Sequence, residues 1–194
     1  KSIIIPDSVT SIGENAFSEC KSLKSVIIPD SVTSIEEGTF NECASLTSIT
    51  IPDSVVSIGE GAFSGCSSLE FNEYDGVCYL GNANNPYLVL VKVKYTFVTS
   101  VAIHEDTKFI CEGAFKDCRS LTAITIPDGV TSIGESAFYG CGSLKSIIIP
   151  GSVISIGEDA FRYCRALESV SMGDGVTSIG ENAFKNCCKL AEIY

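Results

Sequence analysis

The chain has 194 residues, 45% of them apolar, and its 13 basic side chains against 24 acidic ones leave a formal charge of −11. Such a field repels nucleic acid and anionic membrane surfaces, whose binding runs on cationic neutralisation of phosphates, so neither is an expected partner. The longest wholly apolar stretch near the middle, Tyr87–Val91, stops at Lys92, far short of the roughly 20 residues a membrane-spanning helix needs.

One phrase recurs from end to end, best read at Ile51–Leu69 (IPDSVVSIGEGAFSGCSSL). Its phenylalanine falls at Phe17, Phe40, Phe63, Phe115, Phe138, Phe161 and Phe184, at intervals of 23 residues broken by one gap of 52. A fixed period of this size predicts stacked coils. The chain opens inside a coil, since Lys1–Pro6 matches Lys24–Pro29, and it stops inside one at Ala191–Tyr194. Solenoids need atypical terminal repeats, so the expectation is a segment of a longer protein.

Each coil begins with a period-2 stretch such as Leu46–Ile51, which predicts a short strand. Leu46, Ile49 and Ile51 should point inward, and Thr47, Ser48 and Thr50 outward. A proline follows at Pro6, Pro29, Pro52, Pro127 and Pro150; it cannot donate to a ladder and should turn the chain. Val-x-x-Ile then predicts a second short extended segment. The spacing of Ala-Phe-x-x-Cys-x-x-Leu predicts about a turn and a half of helix. One coil alone cannot offset the conformational entropy of ordering it, so stability must come from neighbours.

The gap of 52 exceeds the period by 29, and the excess falls between Leu69 and Val98. Gly76–Leu80 and Tyr87–Tyr95 read as strands joined by the turn-rich Gly81–Pro86, a hairpin. The expected organisation is therefore repeats over residues 1–69, a hairpin insert over 70–97, and repeats over 98–194. The insert concentrates aromatics at Tyr74, Tyr79, Tyr87, Tyr95 and Phe97. Two readings stand side by side: the rings pack against the coils, or they form a contact surface.

The pattern Leu-x-x-Ile-x-Ile-Pro-x-x-Val-x-x-Ile-Gly-x-x-Ala-Phe-x-x-Cys, seen at Leu46–Cys66 and Leu121–Cys141, resembles the BspA-like leucine-rich-repeat family of the Treponema pallidum type. The resemblance covers everything but the insert. It implies a curved right-handed α/β solenoid with a parallel sheet on one face. It also implies a cell-surface or secreted protein that works by adhesion or protein recognition. Glu36 and Cys111 depart from the pattern at the glycine, Thr39 at the alanine, Thr107 at the valine, and Met172-Gly173 at Ile-Pro.

Seven of the ten cysteines form one column, Cys20, Cys43, Cys66, Cys118, Cys141, Cys164 and Cys187. Parallel side chains about 4.8 Å apart suit neither a disulfide, which needs converging Cβ atoms, nor a tetrahedral zinc site. The column is expected to be small buried hydrophobes. A glutamate file (Glu14, Glu37, Glu60, Glu112, Glu135, Glu158, Glu181) precedes each predicted helical turn, where a dipole would favour it. No calcium-loop motif accompanies it. His104 replaces a turn proline; with Cys111 it would make a nucleophilic pair only if the two met in space. No catalytic residues, metal or cofactor are expected.

The strand face is the candidate partner surface: Lys24, Ile27, Thr47, Thr50, Thr122, Thr125, Lys145, Ile148 and Glu168, with Tyr79 and Tyr87 of the insert. A passive spacer or scaffold in a larger surface protein is the alternative.

Overall fold

A computed structural model describes all 194 residues. The chain forms two compact units, Lys1–Asn72 with Leu80–Leu88, and Glu73–Tyr79 with Val89–Tyr194. Both are built of short strands and turns.

In the first unit each coil supplies two strands: β1 (Ser2–Ile4), β2 (Ser11–Ile12), β3 (Ser25–Ile27), β4 (Ser34–Ile35), β5 (Ser48–Thr50) and β6 (Ser57–Ile58). Equivalent strands pair in parallel, as β1-β3-β5 and β2-β4-β6. Ser2 faces Ser25 and Ser25 faces Ser48, so the register advances by the sequence period of 23. The period-2 reading holds: Leu46, Ile49 and Ile51 are buried, and Thr47, Ser48 and Thr50 are exposed. Each proline then opens a tight turn. The Val9 N–H donates to the Pro6 carbonyl at 2.9 Å, and Val32 to Pro29 at 3.0 Å.

β7 (Asn72–Tyr74) and β8 (Val77–Leu80) belong to the second unit except for Asn72 and Leu80, and β9 (Val89–Val93), β10 (Ser100–Ala102), β11 (Phe109–Ile110) and β12 (Ala123–Thr125) lie wholly within it. After these come β13 (Ser132–Ile133), β14 (Ser146–Ile149), β15 (Ser155–Ile156), β16 (Ser169–Met172), β17 (Ser178–Ile179) and β18 (Glu192–Ile193). First strands of the coils pair as β10-β12 and β14-β16-β18. Second strands join the insert in one sheet ordered β17-β15-β13-β11-β9-β8-β7.

The expected helical turn is absent. Residues two before and two after each phenylalanine take positive φ: Asn15 and Glu19 at 53° and 56°, Gly113 and Asp117 at 60° and 58°. Left-handed residues at that interval interrupt the run of right-handed φ/ψ a helix requires. Hydrogen bonds alternate instead. Ala16, Ser18 and Cys20 donate back three residues within the coil. Asn15, Phe17 and Glu19 donate to the Glu37, Thr39 and Asn41 carbonyls of the next coil, each at 2.8 Å. This segment is a third inter-coil ladder, which satisfies the backbone where a helix would have done so internally.

Burial follows the columns. In the first unit the Phe17, Phe40 and Phe63 rings stack at 5.4 and 6.1 Å. In the second, Phe115, Phe138, Phe161 and Phe184 stack at 5.0, 5.0 and 5.1 Å. Close approach of the coils sets the glycine after the second strand at Gly59, Gly134, Gly157 and Gly180: a Cβ at Gly59 would lie 2.3 Å from the Glu37 nitrogen.

The insert forms the two expected strands, β8 and β9, and a third that the sequence reading omitted. Asp75 and Gly76, both at positive φ (46° and 74°), make the two-residue turn between β7 and β8 that favours Asp-Gly. Leu90 faces Ile110 of β11, and the Val93 N–H donates to the Ala114 carbonyl at 3.0 Å. β9 thus occupies the place of a coil's second strand. In the first unit, the Gly81 carbonyl accepts the Ile51 N–H at 3.1 Å, and Asn82 Nδ2 donates to the Ile51 carbonyl at 2.9 Å.

Candidate functional site

The ladder that spaces the strands also presents their outward side chains. In the first unit Ile4 faces Ile27, which faces Thr50. Lys24, Ile27, Thr47 and Thr50 are all exposed. In the second, Thr122, Thr125, Lys145, Ile148 and Glu168 are exposed as well. Ile4 is 75% exposed and Ile148 67%, so in each unit apolar β-branched side chains stand outward on hydrogen-bonded strands. Some of the hydroxyls are engaged: Thr47 Oγ1 donates to the Lys24 carbonyl at 3.0 Å, and Thr122 Oγ1 to Thr99 at 3.1 Å.

The insert aromatics divide. Tyr79 is fully buried, and its hydroxyl accepts the His104 N–H at 3.2 Å. Burial pushes its phenol up to about 12. Tyr79 is therefore a core residue, removed from the surface by its place in β8. Tyr87 is half-buried. Tyr95 and Phe97 stack at 5.3 Å and are the exposed pair, Phe97 at 73%. Tyr74 meets the His104 ring edge-on at 4.9 Å.

His104 also accepts the Asp106 N–H at Nδ1 (3.3 Å). Cys111 is not poised for nucleophilic work, because burial pushes its thiol up to about 12, opposite to the depression a reactive cysteine shows. The glutamates precede no helix, so no dipole acts on them. The Glu37, Glu60, Glu135, Glu158 and Glu181 carbonyls accept the third ladder instead.

All ten cysteines are free thiols. The column does more than fill space. Cys43, Cys66, Cys141, Cys164 and Cys187 each donate Sγ–H to the phenylalanine carbonyl 26 residues earlier, at 3.0 to 3.2 Å. That carbonyl already accepts the cysteine N–H of its own coil, as Phe17 does from Cys20 at 3.2 Å. Burial pushes the thiols of Cys66 and Cys118 up to about 11 and Cys187 to about 12. The neighbouring Cys164 thiol and burial raise the Cys141 thiol as well. Cys188 alone is exposed. Brief treatment of the native protein with DTNB should label Cys188 first, as read by peptide mass mapping. Earliest labelling at Cys141 or Cys164 would contradict the buried column.

A second surface, missed in the sequence reading, lies on the turn face of the second unit. Of the chain's three arginines, Arg119 and Arg165 line it and Arg162 lies against the Tyr163 ring. A groove of about 500 Å³ is lined by Arg119, Tyr139, Gly140, Ser143, Tyr163 and Arg165, among others. Tyr139 and Tyr163 meet edge-to-face at 5.4 Å, and the Arg162 and Arg165 guanidinium groups lie 5.1 and 5.6 Å from the Tyr163 ring centre. Arg119 is paired with Asp117 (3.1 Å) and Arg162 with Asp159 (2.9 Å). The readable signal was columnar: the residues flanking each column cysteine are the most varied of the repeat, Lys116-Asp117 and Arg119, Tyr139-Gly140 and Gly142, Arg162-Tyr163 and Arg165.

A family model described as BspA type leucine rich repeat region matches in six copies over residues 1–81 and 93–194. The chain is 34% identical to a leucine rich cell surface protein of Faecalibacterium prausnitzii, with a TM-score of 0.56 over 99% of this chain and 59% of that one. A leucine-rich repeat protein of Eubacterium ventriosum shares the fold at 23% identity, with a TM-score of 0.53 over 99% of this chain and 72% of that one. No curated protein matches. No helix is long and apolar enough to cross a membrane.

Proposed function

Because the chain belongs to the BspA-type leucine-rich-repeat family, we propose that it is a non-enzymatic protein-recognition module of a cell-surface or secreted protein. The family is a repeat region, not a catalytic one. The observation that carries the reading is the exposure of Ile4, Ile27 and Ile148 on sheets whose inward columns are already filled. Apolar groups held rigidly in water favour a partner that covers them, with little ordering cost on binding. The likeness to a cell surface protein supports surface display.

Lys24 on the first unit's strand face and Lys145 on the second's are cations among largely hydroxyl- and methyl-bearing side chains. Lys24→Glu with Lys145→Glu should weaken the tightest binder in a panel of purified extracellular proteins by about tenfold, chiefly by lost electrostatic complementarity. The thermal midpoint should stay unchanged, as both side chains are exposed. Unaltered affinity would remove the strand face from the reading. A passive spacer predicts no binder at all. Deleting the insert does not separate the two readings, because β8 and β9 are built into the second unit's sheet.

A further inference from the structure

We infer that the arginine–tyrosine groove on the turn face of the second unit is a docking site for an acidic peptide segment of a partner protein. The inference rests on the recognition reading above but uses a different surface. Three observations converge on it. The first is charge: in a chain of net −11, two of the three arginines, Arg119 and Arg165, line this groove and Arg162 lies against the Tyr163 ring, with Asp117 the one carboxylate of the lining, a balance that favours an anionic occupant. Arg119 and Arg162 are held by carboxylates of the chain itself. Arg165 is exposed and has only the Tyr163 ring beside it, so its planar guanidinium is available to a bidentate carboxylate.

The second is backbone strain. Tyr163 has φ +62°, in a column that is left-handed in every coil and elsewhere holds Glu19 (56°), Glu42 (55°), Gly65 (72°), Asp117 (58°), Gly140 (73°) and Asn186 (64°), so it is the one aromatic there. A bulky aromatic in the left-handed region is an outlier, and such outliers concentrate at binding sites. The small or polar residues of the other coils serve the turn; tyrosine adds a ring beside Arg165 at the groove. The third is composition. Arginine and tyrosine dominate protein hot spots, and small Gly140, Gly142 and Ser143 leave the rings open to approach. A saccharide would call for many neutral hydrogen-bonding side chains, and Ser143 offers only one hydroxyl besides the tyrosine phenols.

The test uses the whole chain, isotopically labelled, and an arrayed set of hexapeptides in which two or more carboxylates flank one apolar residue. Binding peptides should move the amide resonances of Gly140, Gly142 and Ser143, and higher salt should weaken them. Arg165→Ala should reduce affinity at least tenfold and Arg165→Lys should restore only part of it. Tyr163→Gly should weaken binding similarly while holding or raising the thermal midpoint, because it relieves the strained φ. Lys24→Glu with Lys145→Glu should leave peptide affinity unchanged. The assignment falls if no acidic peptide shifts those amides. It also falls if Arg165→Ala has no effect, or if a heparin-derived oligosaccharide binds through Arg165 where peptides do not. Those results leave the strand-face reading standing; that reading fails separately, through the double lysine variant.

Discussion

Phe138→Ala should lower the unfolding free energy by about 3–5 kcal/mol, the range for removing a large buried side chain and leaving a cavity. Phe138 is fully buried and stacks on Phe115 and Phe161 at 5.0 Å on either side. The substitution therefore removes two ring contacts and opens a hole in a column with no room to collapse. The third ladder holds the coils at fixed spacing, since the Phe138 N–H donates to the Ala160 carbonyl at 2.7 Å whatever its side chain. Phe17→Ala is the matched comparison. Phe17 is half-buried and stacks on one side only, so its loss should be about half as large. Urea midpoints of the two variants check this. Equal losses would mean that the column adds nothing beyond each coil's own burial.

The largest pH effect should come at alkaline pH, in reducing buffer. Folding raises the thiols of Cys66 and Cys118 to about 11 and those of Cys111 and Cys187 to about 12, from a usual value near 9.0. A group whose folded pKa is raised contributes its stability fully below the unfolded value and loses it as pH climbs toward the folded one. The window is therefore pH 9 to 12, and stability falls through it. Each pKa unit is worth about 1.4 kcal/mol; with part of that screened by solvent, the four thiols together should cost about 5 kcal/mol. Denaturant midpoints between pH 8 and 11 measure it. Replacing Cys66 and Cys118 by alanine should flatten the slope while lowering stability at pH 8. A slope unchanged by those replacements would place the alkaline transition elsewhere.

The period, the inward columns and the proline turns were legible because each is a statement about one coil repeated. Leu46, Ile49 and Ile51 alternate with Thr47, Ser48 and Thr50 in the chain as they do in space. What the sequence hid are conformations and contacts made across 23 residues. The helix expectation failed because three- and four-residue apolar spacing also fits a segment broken by left-handed residues. Most of those residues are not glycine: Asn15, Glu19, Glu42, Asp117, Tyr163. The mixed column Asn15, Gly38, Gly61, Gly113 was the available sign. The cysteine-to-carbonyl bonds join residues 26 apart, a separation no local motif exposes. The turn-face groove draws on Arg119, Gly142 and Arg165, one column spread over three coils. Asp75-Gly76, by contrast, was a hairpin signal in plain view, and reading it would have added β7.

Proton–proton contacts between aromatic rings of residues 23 apart are the most direct measure of the interior columns on which every surface here depends. With phenylalanine rings selectively labelled, the Phe138 ring should show strong NOEs to both Phe115 and Phe161, at centroid spacings near 5.0 Å. A Phe138 ring whose NOEs reach only residues of its own coil would contradict the stacked columns, and with them the rigid faces proposed to bind.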